Sequence, residues 1–291
     1  MAFGQARFAD INELLNTRFA EKQVLIAAHR GSWHGNIIQN TVGAYKAAIR
    51  MGADMVETDT SVSTDGVVYS IHDGVEPVLF GAPRSVMKMT SEQVEALTPL
   101  NALAEPSTHK PPRLEEVFAS LTHGELLNID RSWRAKGLVP GLLDKHPHMK
   151  KQALLKAPLR ERAVIEQLNE HPVKYMFMPI CYSIHDVEEI LKYPELNTVG
   201  VELIACSPED ELYSDEAIAF VHSRGLFAWV NALTLTDVYP QAALYGGLDD
   251  DVSVLEDPDQ GWGRLLEKGI DVIQTDWPSI LRDYRKEKLG K

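Results

Sequence analysis

Two cysteines, Cys181 and Cys206, are all this chain of 291 residues carries, so no disulfide framework is available to it. Long apolar runs are missing as well. None approaches the roughly 20 residues a membrane-spanning helix needs, so no integral membrane segment is expected. Basic residues are scarce: 29 Lys and Arg stand against 42 Asp and Glu, a net charge of −13. That deficit argues against nucleic acid as a partner and against general attraction to anionic membranes. There is no glycine-rich dinucleotide fingerprint and no internal repeat. The first 25 residues lack a basic start followed by a long apolar core, so a secretory leader is not expected and a cytoplasmic location is the default.

What the chain does contain is alternation. Short apolar runs of strand length lie at Val24–Ala28, Met55–Val62, Glu125–Asp130, Ala153–Leu155, Lys174–Ile180, Val199–Ile204, Leu226–Asn231 and Asp271–Thr275. Segments of helical spacing separate them, among them Thr41–Met51, Leu114–Leu121, Leu159–Leu168, His185–Leu191, Asp215–Arg224 and Trp262–Lys268. Alternating units predict a parallel sheet, and eight of them predict a closed (β/α)8 TIM barrel in a single domain spanning residues 1–291. An open doubly wound sheet is the runner-up. Phe8–Phe19 reads as an amphipathic helix lying over the bottom of the barrel. The stretch 73–113 holds six prolines and reads as an irregular insertion after the second barrel strand, with one helical piece near Ser91–Leu97. The charged tail after Arg282 is expected to fray.

Chemistry concentrates between His29 and Asp73. His29-Arg30-Gly31 stands at the end of the first strand run, and Gln39-Asn40-Thr41 opens the first helix, with Asn40 or Thr41 as its cap. Gly52-Ala53-Asp54 follows that helix, then Glu57-Thr58-Asp59 on the second strand. Side chains alternate along a strand, so Glu57, Asp59 and Ser61 share a face. Two carboxylates on one face repel unless something positive lies between them, and a hard divalent cation is the natural occupant. Thr64-Asp65-Gly66 is a turn, and Val67–Ile71 delivers His72-Asp73. A lone Glu-x-Asp pair or a lone His after an apolar run usually has a bland explanation; their combination does not.

In that order these blocks resemble the signature of the glycerophosphodiester phosphodiesterase family: His-Arg-Gly, Glu-Asn-Thr, Gly-Ala-Asp, Glu-x-Asp, Thr-x-Asp-Gly and His-Asp. Gln39 replaces the usual Glu. The closing Gln274-Thr275-Asp276-Trp277-Pro278 is similar to the family's Thr-Asp-Pro ending. The resemblance implies one divalent cation, Mg²⁺ or Ca²⁺, on Glu57, Asp59 and a third carboxylate at the end of the third strand. Asp130 stands there in place of Glu, and Ser132 in place of the family's Lys. It further implies His29 and His72 as general acid and base, and Arg30 on the phosphate. Lys156, at the end of the next apolar run, is the candidate for the missing cation, an exposed lysine being the competing reading. Glu202 lies among apolar neighbours, where an unpaired carboxylate is costly, so it should face the polar mouth or a cation. Trp229 could stack on the leaving alcohol or simply pack in the core. Asp249-Asp250-Asp251 reads as a solvated acidic run, a second cation site being the remote option.

The expected function is therefore metal-dependent hydrolysis of glycerophosphodiesters to glycerol 3-phosphate and an alcohol. One alternative keeps the site but moves the substrate to a sugar or inositol phosphodiester; the sequence after His72-Asp73 departs from the family's common run and motivates it. The other is a barrel that binds a phosphoester without turning it over.

Overall fold

Eight parallel strands close on themselves: β1 (Leu25–Ala28), β2 (Met55–Asp59), β3 (Leu126–Asp130), β4 (Ala153–Pro158), β5 (Met176–Cys181), β6 (Gly200–Leu203), β7 (Phe227–Asn231) and β8 (Val272–Thr275). The computed structural model describes residues 2–135, 137–235 and 242–290. Each strand pairs with its sequence neighbours, and β1 seals the ring by pairing with β8 in the register Leu25↔Val272 to Ala28↔Thr275. This is the (β/α)8 barrel that the alternation predicts.

The side-chain period of two sorts each strand. Outward residues such as Ile129, Leu155 and Phe177 on one side, and Ile26, Val201, Val230 and Ile273 on the other, pack under the helices. Inward residues at the strand starts, including Met55, Leu126, Leu154, Met176, Trp229 and Val272, fill the lower barrel. Helix α1 (Ala9–Lys22) closes that end with Ile11, Leu15 and Phe19 against the same cluster. Two residues further along the strands the inward positions turn polar, giving Glu57, Asn128, Lys156, Asn231 and Gln274. The core therefore ends partway up the barrel, and a charged chamber begins above it, at the face where this fold keeps its active sites.

Three local readings need correction. The second strand stops at Asp59, and Ser61–Val62 turns away to form a separate antiparallel hairpin with Val68–Tyr69. The insertion is better ordered than its prolines suggest. Pro77 sits in the first turn of a helix, Glu76–Phe80, where its missing N–H costs nothing. Buried Glu76 accepts from the N–H groups of Gly74 and Val86 at 2.7 and 2.8 Å, tying that helix to the rest of the insertion. Finally, the C-terminal segment does not fray after Arg282. Pro278–Leu289 is one helix, and the buried Arg285 guanidinium pairs with Asp54 and donates to the Val24 carbonyl at 2.6 Å.

Candidate active site

The first strand ends in a backbone turn that only certain residues tolerate. Arg30 and Gly31 both have positive φ, +56° and +76°. A Cβ on Gly31 would lie 2.6 Å from the Ala44 carbonyl carbon, so the third residue of His-Arg-Gly must be glycine. The turn aims the Arg30 N–H at Glu57 Oε2, 2.8 Å away, and brings Arg30 Nε to 3.1 Å from Asp59 Oδ2. Arg30 Nη1 donates to Gln39 Oε1 at 2.9 Å. Gln39 thus orients the guanidinium without cancelling its charge, which a glutamate there would do. Thr41 caps helix Val42–Arg50. Asn40, also at positive φ, grips Asp59 twice: its Nδ2 donates to Oδ2 at 2.9 Å, and its Oδ1 accepts from the Asp59 N–H at 3.0 Å.

Beneath this pair lies a buried hydroxyl cluster. Tyr45 Oη is within 2.7 Å of Thr58 Oγ1 and 2.6 Å of Ser70 Oγ, and it donates to Asn40 Oδ1 at 3.3 Å. One tyrosine thus links the first helix, β2 and the hairpin that leads to His72.

Glu57, Asp59 and Asp130 offer oxygens that all lie within 4.8 Å of one another. Burial, and then the charges of Asp59 and Asp130, hold the Glu57 carboxyl well above the usual range. Burial alone would also raise Asp59, but Arg30, His72, His29 and Asn40 outweigh it and bring it down to about 2. Glu57 Oε1 is buried with no hydrogen-bond partner among the described residues. A buried carboxylate oxygen left without a donor beside two other clustered acids fits a site that could hold a cation.

His29 and His72 reach the same chamber from β1 and from the hairpin. His29 Nδ1 donates to Asp276 Oδ1 at 2.9 Å, which turns Nε2 away from that carboxylate. Burial would raise Asp276, but His29 more than compensates and holds it low. His72 is nearly buried, its Nδ1 has no partner among the described residues, and burial pushes its pKa below 6.5 despite Asp59.

On the far side of the chamber the expectations divide. Glu202 is buried and paired, as its cost demands: Lys156 Nζ is 2.9 Å from Oε2 and Asn231 Nδ2 donates to Oε1 at 2.7 Å. Lys156 is not an exposed strand-end lysine. It is 2% exposed, stands between Glu202 and Asp130 (3.3 Å), and those carboxylates with Glu57 raise its pKa in spite of burial. Its charge is spent on protein carboxylates. Trp229 is removed from the chamber. It has no solvent exposure, packs in the lower barrel, and donates Nε1–H to Asn231 Oδ1 at 2.8 Å. Trp229 packs with the lower-barrel core, and Asn231, two residues higher, lines the cavity. The acidic run is corrected too. Asp250 is buried and its oxygens are taken by Thr275 Oγ1, Trp262 Nε1–H and the Asp276 N–H, at 2.8, 3.0 and 2.7 Å, so it anchors the Asp276 turn instead of holding a cation.

The cavity encloses about 270 Å³. His29, Arg30 and His72 occupy the β1–β2 side, Arg131, Arg134, Lys156 and Arg160 follow β3 and β4, and Ile180, Ile204, Leu233 and Leu244 supply an apolar wall beyond β5. Asp276, Asn40 and Arg131 escaped assignment as site residues from the sequence. For Asn40 and Asp276 the motif blocks were a usable signal; for Arg131 there was none.

Comparison with known proteins agrees with this fold. Residues 29–156 match the Glycerophosphoryl diester phosphodiesterase family model, and residues 177–285 match a domain of unknown function. A glycerophosphodiester phosphodiesterase of Caldanaerobacter subterraneus is 28% identical over 172 residues, which cover 58% of this chain and 63% of that relative. The crystal structure of a glycerophosphoryl diester phosphodiesterase from Parabacteroides distasonis superposes with a TM-score of 0.73 at 16% identity, covering 96% of this chain and 92% of the other. A phosphodiesterase of Oleispira antarctica, solved with its product sn-glycerol-3-phosphate, gives 0.66 at 14% identity over 89% and 95% of the two chains. With the motif blocks in place on a closed barrel, and the family match running from His29 to Lys156, this stretch of the chain is similar to the glycerophosphodiester phosphodiesterase family, and the chain spans less than two thirds of the curated relative it matches.

Proposed function

We propose that the chain hydrolyses glycerophosphodiesters, releasing glycerol 3-phosphate and an alcohol. The observation that carries this reading is one cavity lined by two imidazoles, the Arg30 guanidinium and the Asp59 and Asp130 carboxylates, with Glu57 clustered beside those two acids. Glu57, Asp59 and Asp130 would hold one divalent cation, Mg²⁺ or Ca²⁺, and the orphaned Glu57 oxygen supports that fit. Such an ion, when bound, supplies Lewis-acid polarisation of a phosphate oxygen.

The chain's own residues do the rest. Arg30, oriented by Gln39, donates to the phosphate. His29 and His72 divide the acid and base roles: one takes the proton of the attacking group, either water directly or a neighbouring substrate hydroxyl whose cyclic phosphate water then opens, and the other protonates the departing alkoxide. Asp276 keeps His29 in the tautomer whose Nε2 is free for that transfer. Lys156 holds Asp130 and Glu202 apart and in place.

Phosphorus NMR tests the reading directly. The protein is incubated with glycerophosphocholine, glycerophosphoethanolamine, glycerophosphoinositol and one sugar phosphodiester, with Mg²⁺ or Ca²⁺ added. A glycerol 3-phosphate resonance from the glycerol compounds is the expected result. A signal from the sugar phosphodiester alone would move the substrate class, and unchanged spectra throughout would overturn hydrolysis.

A further inference from the structure

The β3–β4 side of the mouth carries more positive charge than one phosphodiester requires. Arg131 is the clearest case. It has φ of +54°, one of five non-glycine residues with positive φ among the described residues, and Arg30 and Asn40 are two of the others. Strained backbone of this kind persists where a side chain must be aimed. Its side chain is about three-quarters buried, yet among the described residues its guanidinium makes no hydrogen bond. Its contacts are ion pairs at 3.7 Å to Asp59 Oδ1 and 4.0 Å to Asp73 Oδ2.

Arg134 explains why Arg131 stays uncommitted. Asp73, the acid within reach of both, is taken by Arg134 directly and by Ser85 Oγ at 3.0 Å. Arg160, on the loop after β4, lines the same cavity, with its Nε 3.6 Å from Glu161 and its side chain 70% exposed. Lys156 has no charge to spare and Arg30 already faces the reacting centre. Guanidinium forks left with unused donors in a polar cavity match planar anions such as a carboxylate or a phosphate. The chain as a whole is strongly acidic, so this concentration of arginine is local and opposes the global field.

We infer that Arg131 and Arg160 form a subsite for a second anionic group, a carboxylate or a phosphate ester carried on the alcohol portion of the phosphodiester. The inference rests on the proposed hydrolysis for the placement of the first phosphate and specifies which alcohols the site prefers.

Two matched pairs of compounds isolate the extra anion. Glycerophosphoserine differs from glycerophosphoethanolamine by one carboxylate, and glycerophosphoinositol 4-phosphate differs from glycerophosphoinositol by one phosphate. In at least one pair, kcat/KM for the more anionic member should be tenfold or more higher. In Arg160→Gln and Arg131→Gln that ratio should fall toward one. The carboxylate pair and the phosphate pair decide between the two sources of charge. Ratios at or below one in both pairs, or ratios the substitutions leave unchanged, overturn the subsite. Isothermal titration calorimetry of the same four compounds gives the ratio as Kd values independently of turnover. Absent turnover with a tenfold binding preference would sink hydrolysis and keep the subsite. Active hydrolysis with flat ratios would do the reverse, and absent turnover with flat binding would sink both.

Discussion

His29 Nδ1 and Asp276 Oδ1 lie 2.9 Å apart, although 247 residues separate them in sequence. The first and last barrel strands bring them together, and the buried Asp250 carboxylate fixes the Asp276 backbone from below. An amide cannot hold the imidazole in one tautomer as a carboxylate does. Asp276→Asn should therefore lower kcat by about 10–100-fold with little change in KM, as is usual for partners that orient a working histidine. Steady-state kinetics on a substrate identified by phosphorus NMR checks this, and an unchanged kcat would remove Asp276 from the site.

Glu57 is held protonation-prone by burial and by two neighbouring acids. With a chelator present, Glu57→Gln should melt higher than the parent chain, because it removes like-charge repulsion. Each kcal/mol of relief is worth about 2–4 °C in a chain of this size. Added Mg²⁺ or Ca²⁺ should reverse the order, since only the parent keeps all three ligands. Scanning calorimetry of both proteins with and without the ion reads the result, and a metal shift equal in the two would count against the carboxylate site.

Tyr45 is the hub of the hydroxyl cluster behind Asp59. Tyr45→Phe leaves Thr58 and Ser70 with one partner fewer in a fully buried place. The expected loss is about 1–3 kcal/mol of stability, the cost of unsatisfied buried polar groups. Urea unfolding monitored by tryptophan fluorescence measures it. A loss below half a kcal/mol would mean that the two remaining hydroxyls satisfy each other.

At the bottom of the barrel, His222 Nε2 donates to Asp271 Oδ2 at 2.8 Å, and this carboxylate raises the His222 pKa above 6.5. The folded state then binds the proton more tightly than the unfolded state does. The stabilisation is complete below the unfolded value of about 6.5 and fades as pH rises through the raised folded one. Melting temperatures of the parent and His222→Gln should accordingly differ more at pH 5.5 than at pH 8.5. A gap that widens with pH would show the sign to be wrong.

Much of this architecture can be read from the sequence, because barrel strands advertise themselves as apolar runs and the helices between them by their spacing. The same period of two that identifies a strand cannot say how high a residue sits. Trp229 and Asn231 share a face, yet one is lower-barrel core and the other lines the cavity. Depth in a barrel depends on strand tilt and register, which local sequence does not encode. Lys156 was legible as a cation near the site but not as one already matched to Asp130 and Glu202, since those partners come from neighbouring strands. Arg131 was illegible altogether. Its distinction is a backbone angle and a competitor, Arg134, for the nearest acid, and both are properties of the folded chain.

The ring closes where β1 meets β8, and that seam has a consequence for how the molecule can be divided. The half that carries the family match, residues 29–156, contains both histidines, all three clustered acids and Arg30. Even with β1 ahead of it, that segment would emerge from a ribosome as an open four-strand arc with two bare edges, its His29 without Asp276 and its Lys156 without Glu202. Neither half alone is expected to be a separable catalyst or a stable unit of inheritance; a recombination event that exchanged one would have to supply a partner whose edges already fit the seam.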